Sequence, residues 1–243
     1  ILSPGIPTDA PFVEMIRETG IPIWGEMQLA YHCAKGRMAA ITGTNGKTTT
    51  TSLTGEIMKS FYDSVFVVGN IGEPFAFHAL ETTDETVTVA EVSSFMLETM
   101  TDFHPNVSAI LNITPDHLDR HKTMECYIET KESITKNQKE GDVCVLNYED
   151  PVLREFGLRT LKQGFYLKED EIVYNDGEKE TVIVNIHDLK LLGRHNHENV
   201  MAAVAISMNM GVPLEKIQKV IKEFKAVEHR IEFVTERFGV KYY

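Results

Sequence analysis

The chain has 243 residues, enough for one large domain or one and a half ordinary ones, and its 42% hydrophobic and 25% charged residues are the balance of an ordinary soluble globular protein. A formal net charge of −12 argues against non-specific binding to nucleic acid or to anionic membrane. No uninterrupted apolar run approaches the length of a membrane span, and no signal peptide is visible.

In chain order, "SPGIPTDAPFVEMIRETG" predicts a proline–glycine turn and then a helix, with Thr8 or Asp9 near its start and Gly20 at its end. "IPIWG" reads as a short strand and "EMQLAYHCA" as a short helix. Met38 to Ile41 is an expected strand, and Thr48 to about Phe61 an expected helix. "VFVVGNIG" is a strand ending in a glycine turn, "TVTVAEVSS" a strand, "FMLETM" a helical turn and "VSAILNIT" another strand. "MECYIETKESITKNQKE" predicts a helix and "DVCVLN" a strand. Strands that alternate with helices and carry Val and Ile on both faces imply a parallel sheet covered on both sides. From about Gly164 the texture changes to short antiparallel strands around Asn175-Asp176-Gly177. Two amphipathic helices follow, "NHENVMAAVAISMNMG" and "PLEKIQKVIKEF".

The three cysteines, Cys33, Cys126 and Cys144, are widely spaced and outside C-x-x-C pairs, so they read as free thiols of a reducing compartment. The chain opens without Met on "ILSPGIPTDAP" and ends on "FGVKYY", which reads as a strand cut at its edge. An excised piece of a longer protein is the expectation.

The chemistry starts at "AAITGTNGKTTTTS", where strand, glycine turn and helix follow in the order a phosphate-binding loop requires. It is a shortened variant: Ile41 stands where the common G-x-x-x-x-G-K-[ST] pattern has its first glycine, and the glycine sits at Gly43. Backbone amides of Gly43, Thr44, Asn45, Gly46, Lys47 and Thr48, with Thr49 beside them, would wrap a phosphate at a helix N-terminus. Lys47 would reach the β- and γ-phosphates, and the Thr48 hydroxyl would bind Mg²⁺. Glu91 ends the strand "TVTVAE" at the same sheet edge, where an acid suits Mg²⁺. "LNITPDHLDRH" gathers Asp116, His117, Asp119, Arg120 and His121 after another strand.

"GTNGKTTT", "GNIGEP", "EVSSFMLE", "LNITPDHLDRH" and "GRHNHENVMAA" occur in that order, and together they resemble the Mur ligase family, ATP-dependent amide-bond synthetases of peptidoglycan assembly. "SPGIP", "GEMQLA" and "GNIG" are most similar to the branch that adds D-glutamate to UDP-N-acetylmuramoyl-L-alanine through an acyl phosphate. The resemblance covers essentially the whole chain. It implies residues 1–31 as the end of a UDP-substrate domain, 32–228 as the central ATPase domain, and 229–243 as the start of a truncated C-terminal ligase domain. In fold terms it implies a P-loop α/β domain with a mostly parallel sheet flanked by helices, a smaller antiparallel part, and fragments of Rossmann-like neighbours at both ends. A cytoplasmic monomer without nucleic-acid or membrane partners is expected.

By the same resemblance, Thr48 and Glu91 match ligands of one Mg²⁺ and His117 a ligand of a second. Lys131 matches a lysine carried as a carbamate beside that second ion. Asn70 matches a contact to the muramoyl substrate, Asn196 and Asn199 match residues of the nucleotide site, and Arg230 an arginine near ATP. Lys47, His117 and Lys131 are the implied catalytic set. Read from the residues alone, Asn196 would cap the helix that begins there, Arg230 would form a domain-boundary salt bridge, and Lys131, between Glu129 and Glu132, would lie on a solvated helix face. Two other functions stay open: a relative that adds another amino acid or builds folylpolyglutamate, and a nucleotide-binding module without turnover.

Overall fold

The computed structural model describes residues 1–157, 164–175, 178–225, 235–237 and 240–242. Helices α1 (Pro11–Glu18) and α2 (Glu26–Cys33) lead into an alternating series. That series runs β1 (Arg37–Thr42), α3 (Lys47–Lys59), β2 (Val65–Gly69), α4 (Phe75–His78), β3 (Val87–Glu91), α5 (Ser94–Leu97) and β4 (Val107–Ile110). It continues through α6 (Leu118–His121), α7 (Met124–Glu132), β5 (Val143–Leu146) and α8 (Pro151–Gly157). Then come β6 (Gly164–Lys168), β7 (Glu171–Asn175), β8 (Glu180–Asn185), α9 (Arg194–Asn209), α10 (Leu214–Glu223), β9 (Thr235–Arg237) and β10 (Val240–Tyr242).

β1 to β5 form one parallel sheet in the order β2-β3-β1-β4-β5. Successive side chains of a strand point to opposite faces, and here both faces are covered. Ala39, Ile41, Val87, Val89, Val107 and Ala109 meet Leu53 and Ile57 of α3, Val200 and Val204 of α9, and Ile217 and Ile221 of α10. The interleaved set, Met38, Ala40, Ala90 and Ile110, packs with Met27 of α2, Phe75 of α4, Tyr127 of α7 and Leu153 of α8. That two-sided burial explains why these strands read as nearly continuous apolar runs. β6, β7 and β8 make a separate antiparallel sheet, whose Ile172, Ile183 and Val184 join the α9–α10 side of the core. The expected architecture, a mostly parallel sheet between helices with a smaller antiparallel part, is the one found.

The chain leaves β1 for the β2 edge, returns through β3, and crosses β1 to reach β4. The topological switch point therefore lies at the C-terminal end of β1, between β3 and β4, where open α/β sheets bind ligands.

Several local expectations are corrected. "IPIWG" is no strand: residues 21–24 are irregular, and only a single parallel bridge joins Leu2 to Gly25. Neither Thr8 nor Asp9 caps α1; its N-cap is Ala10 without a side-chain bond, and Pro11 at the first turn supplies the preset φ instead. α7 ends at Glu132 and tightens into a 3₁₀ turn through Thr135, short of the expected length. α8 was not foreseen. The turn residues Asp176 and Gly177 lie outside the described set, although β7 and β8 pair antiparallel on either side of them. Among the described residues, no helix is long and apolar enough to cross a membrane, and Cys33, Cys126 and Cys144 are free thiols.

Candidate active site

The glycine loop occupies the switch point, between the end of β1 and the start of α3. Gly46 is the N-cap of α3 in the left-handed region at φ 83°. A Cβ there would stand 2.2 Å from the Asn199 side-chain oxygen of α9, so glycine is required by both the backbone and the approach of α9. Gly46→Ala is expected to cost about 1–3 kcal/mol of folding free energy, read as a lower urea midpoint. A midpoint unchanged from wild type would contradict the close packing of α9 on the loop.

The loop is held from the β4 side. Thr44 donates its N–H to the Asn112 carbonyl at 2.9 Å. The Asn112 side chain accepts from the Asn45 N–H at 2.8 Å and donates to the Asn45 carbonyl at 3.1 Å. The Thr44 hydroxyl bonds the Thr114 carbonyl at 3.1 Å, accepts from the Thr114 N–H at 3.0 Å, and lies 3.1 Å from the Tyr127 hydroxyl. Asn112 and Tyr127 carried no expectation from the sequence. Asn112 could have been found as a polar residue just past a strand at the ligand edge.

Two lysines converge on one oxygen. Lys47 donates to the Gly43 carbonyl at 3.0 Å and to the Thr44 carbonyl at 2.9 Å. Lys131 donates to the same Gly43 carbonyl at 2.9 Å. Lys131 is only 1% exposed, and its ammonium sits 4.7 Å from the centre of the Tyr127 ring. The solvated-face reading of Lys131 is thereby overturned: α7 turns this residue inward while Glu129 faces water. Burial, and after it the Lys47 charge, pull Lys131 down from its ordinary 10.5 to about 7, with Asp116 pulling the other way.

That shift has a stability consequence of definite sign. Between about pH 7 and 10.5 the unfolded chain holds the Lys131 proton and the folded chain releases it. Folding stability contributed by this group therefore rises with pH across that window. Urea midpoints of the chain and of Lys131→Met, measured in CO₂-free buffer at several pH values, are expected to diverge, with the wild type gaining as pH increases. Parallel pH profiles would contradict the buried, near-neutral amine.

At the neighbouring strand ends, Glu91 is 1% exposed. One of its oxygens accepts from the Asn70 amide at 2.9 Å, and the other, Oε2, is buried without a hydrogen-bond partner. A buried carboxylate oxygen left open in this way fits a hard cation. Among the described residues there is no cluster of three or more His, Cys, Asp or Glu able to enclose a metal. An ion here would take its other ligands from the Thr48 hydroxyl, water and phosphate oxygens, the habit of Mg²⁺. His117 stands on the β4 loop in the left-handed region at φ 51°, half exposed, with its ring 4.9 Å from that of Phe95 and Nε2 3.5 Å from Asp116. Just behind it, His121 is buried, with Nε2 2.9 Å from the Ser94 hydroxyl. Burial lowers its pKa, against the pull of Glu98.

α9 closes the other side. Asn199 accepts from the Thr50 hydroxyl at 3.4 Å, and its amide lies 3.4 Å from the Asn196 side-chain oxygen. Asn196 is not the helix cap: Gly193 holds that position, and Asn196 donates back to the Leu192 carbonyl at 2.7 Å. The structure thus gathers Gly43 to Thr49, Lys131 and Asn199 around one loop, with Asn196 beside Asn199. Glu91 and Asn70 form a pair at the ends of β3 and β2. Arg230 lies outside the described residues.

The sequence pattern of the Mur ligase middle domain matches residues 41–207. The chain belongs to the Mur ligase family. It is 54% identical to the UDP-N-acetylmuramoylalanine–D-glutamate ligase of Lachnoclostridium phytofermentans, over 100% of this chain and 56% of that protein. It is 50% identical to the protein of the same name from Lachnospira eligens, over 100% of this chain and 57% of that one. The chain thus spans little more than half the length of these relatives. Among solved structures, MurF from Acinetobacter baumannii superposes with a TM-score of 0.65 at 21% identity, covering 87% of this chain and 51% of that one. MurC from Thermotoga maritima gives 0.62 at 23% identity, covering 97% and 56%. These two likenesses show that the Mur ligase fold is shared.

Proposed function

We propose that this chain is the ATP-binding part of a cytoplasmic ligase that adds D-glutamate to UDP-N-acetylmuramoyl-L-alanine in peptidoglycan precursor synthesis, and so serves cell shape and division. Residues 1–31 would be the end of the UDP-substrate domain, 32–228 the ATPase domain, and 229–243 the start of the domain that carries D-glutamate. The observation that carries the reading is the meeting of the Lys47 and Lys131 side-chain nitrogens on the Gly43 carbonyl of the loop. The Lys47 charge at this edge, in a chain of net charge −12, suits a reaction whose reactants are mostly anions, and the depressed Lys131 beside it suits carbamate formation. The identity with the D-glutamate ligases, which extends over the whole chain, supports this member of the family over a relative adding another amino acid.

ATP would lie with its phosphates on the amides of Gly43 to Thr48, at the α3 N-terminus, where the helix dipole adds to the attraction. Thr49, Asn196, Asn199 and Arg230 would complete the nucleotide site, and Asn70 would meet the muramoyl substrate. The L-alanyl carboxylate attacks the γ-phosphorus, ADP leaves, and an acyl phosphate forms. The D-glutamate amine then attacks the acyl carbon, and the tetrahedral intermediate expels inorganic phosphate as the amine loses its proton. Lys47 stabilises charge moving onto the β–γ bridge oxygen. Mg²⁺, held by Thr48 and Glu91 at one position and by His117 and a Lys131 carbamate at a second, would supply charge neutralisation on the transferring group. No side chain is needed as a covalent nucleophile.

The test supplies ATP, D-glutamate and UDP-N-acetylmuramoyl-L-alanine to the complete ligase and to this chain. The ligase is expected to release one ADP and one phosphate for each D-glutamyl product. The chain by itself is expected to bind ATP without forming the amide. Release of ADP independent of D-glutamate in the complete protein would overturn the assignment, and product from the chain alone would overturn the domain boundaries.

A further inference from the structure

Arg120 is a heavily engaged cation, among the described residues, that the proposed chemistry leaves without a task. Its side chain is 12% exposed, and that of its partner Glu98 14%. Nε donates to both Glu98 oxygens at 3.2 Å, and Nη2 donates to Glu98 Oε2 at 2.6 Å. Fork-shaped pairing of this kind fixes direction as well as charge. The same Nη2 donates to the backbone carbonyl of Ile6 at 2.8 Å, across 114 positions of sequence. Two residues on, Lys122 lies 3.9 Å from Asp9, a weaker exposed pair.

The face of the guanidinium has a partner as well. It lies 5.2 Å from the centre of the Phe95 ring. That ring is 4.9 Å from the His117 ring and 5.7 Å from the His121 ring. Phe95 lies within α5 and Glu98 is its C-cap, just after the strand that ends in Glu91. One guanidinium therefore joins two parts of the fold: the segment at Ile6, and the short helix after β3, where it meets both Glu98 and the Phe95 ring against which His117 rests.

We propose that Arg120 is a positioning residue that locks the first segment of the chain, residues 2–10, to the loop bearing Asp116 and His117. The two then keep one relative placement. The segment's own bonds make it a unit that can be held this way: Leu2 N–H to the Trp24 carbonyl at 2.7 Å, Ile6 N–H to the Ser3 carbonyl at 2.9 Å, and Ala10 N–H to the Pro7 carbonyl at 3.1 Å. The catalytic consequence rests on the functional reading above. If residues 1–31 belong to the domain that holds the sugar nucleotide, this lock sets the reacting carboxylate relative to the phosphoryl group. An error of about 1 Å there costs up to about a hundredfold in rate.

The experiment has two arms. In this chain, hydrogen exchange of Arg120→Ala is compared with wild type. The amides of Leu2, Ile6 and Ala10 are expected to exchange at least about tenfold faster, together with those of residue 120 and His121. Faster exchange at 120–121 with an unchanged first segment would overturn the lock. Arg120→Lys, which keeps the charge but loses the fork, is expected to fold and to show the same joint change in smaller degree, so a poorly folding Arg120→Ala leaves the test intact. In the complete ligase, Arg120→Lys is expected to lower kcat about tenfold while KM for ATP stays within about twofold. Equal loss in the ATP parameter would mark Arg120 as general scaffolding and overturn its positioning role. A wild-type ligase that makes no D-glutamyl product would refute the functional reading, and the exchange arm would still decide the lock.

Discussion

Lys47→Ala will abolish ATP binding by this chain, or nearly so. Lys47 opens α3, and its ammonium rests on the Gly43 and Thr44 carbonyls, over the loop whose amides would wrap the phosphates. Its stem is therefore already directed to the place where the β- and γ-phosphates would sit. A charge-assisted hydrogen bond to an anion contributes about 1.5–3 kcal/mol, and the lysine would make more than one to a highly charged triphosphate. A loss of at least about a hundredfold in affinity is expected, or ~2.7 kcal/mol. The fold should survive, because Lys47 stands in the first turn of α3 at the sheet edge, where its ammonium bonds the Gly43 and Thr44 carbonyls of the loop. Calorimetric titration with ATP and Mg²⁺ is the measurement, and unchanged affinity in a folded variant would end the phosphate-loop assignment.

Lys131→Ala should remove the activity of the complete ligase without unfolding it. The proposed role is a carbamate: the neutral amine attacks CO₂, the new N–C bond forms, and one proton leaves. An ammonium cannot do this, so an ordinary surface lysine at neutral pH would be a poor candidate. Lys131, buried and brought down to about 7, holds a large neutral fraction under those conditions. Its carbamate would place two oxygens sharing one negative charge beside Lys47 and on the side of Asp116 and His117, the ligand type Mg²⁺ takes. Activity is expected to fall at least about a hundredfold, with partial rescue by formate or acetate, which can fill the vacated volume and restore a carboxylate. Normal activity in Lys131→Ala would end the proposal.

How much of this was legible can be judged residue by residue. The parallel sheet was readable because Met38 to Ile41 is apolar throughout, and Val87 to Ala90 and Val107 to Ile110 are interrupted only by the small polar residues Thr88 and Ser108, as suits strands covered on both faces. The loop was readable because strand, glycine turn, lysine and helix are adjacent in sequence. α8 could have been read from Asp150 followed by Pro151: Asp150 accepts from the Val152 and Leu153 N–H groups at 2.9 and 3.1 Å, and proline suits the first helical position.

What could not be read depends on tertiary placement. Glu129 and Glu132 beside Lys131 look like a wet helix face, and only the seating of α7 against the glycine loop turns Lys131 inward. Asn196 looked like a cap because asparagine favours that position, but the helix starts two residues earlier, at Arg194. "IPIWG" has the composition of a strand, and among the described residues it has no neighbour to pair with beyond the single Leu2–Gly25 bridge. The Thr44–Tyr127 and Thr44–Thr114 contacts join positions 83 and 70 apart, which no local pattern reports.

The central claim is that the loop between β1 and α3 holds the phosphates of ATP. Amide NMR of the isotopically labelled chain, titrated with ATP and Mg²⁺, tests it most directly. The largest shifts are expected at Gly43 to Thr49, with smaller ones at Asn199 and around Lys131, and none of comparable size at the opposite end of the sheet near Arg37 and Asn106. Saturable shifts centred on that opposite end, with the loop amides unmoved, would contradict the account.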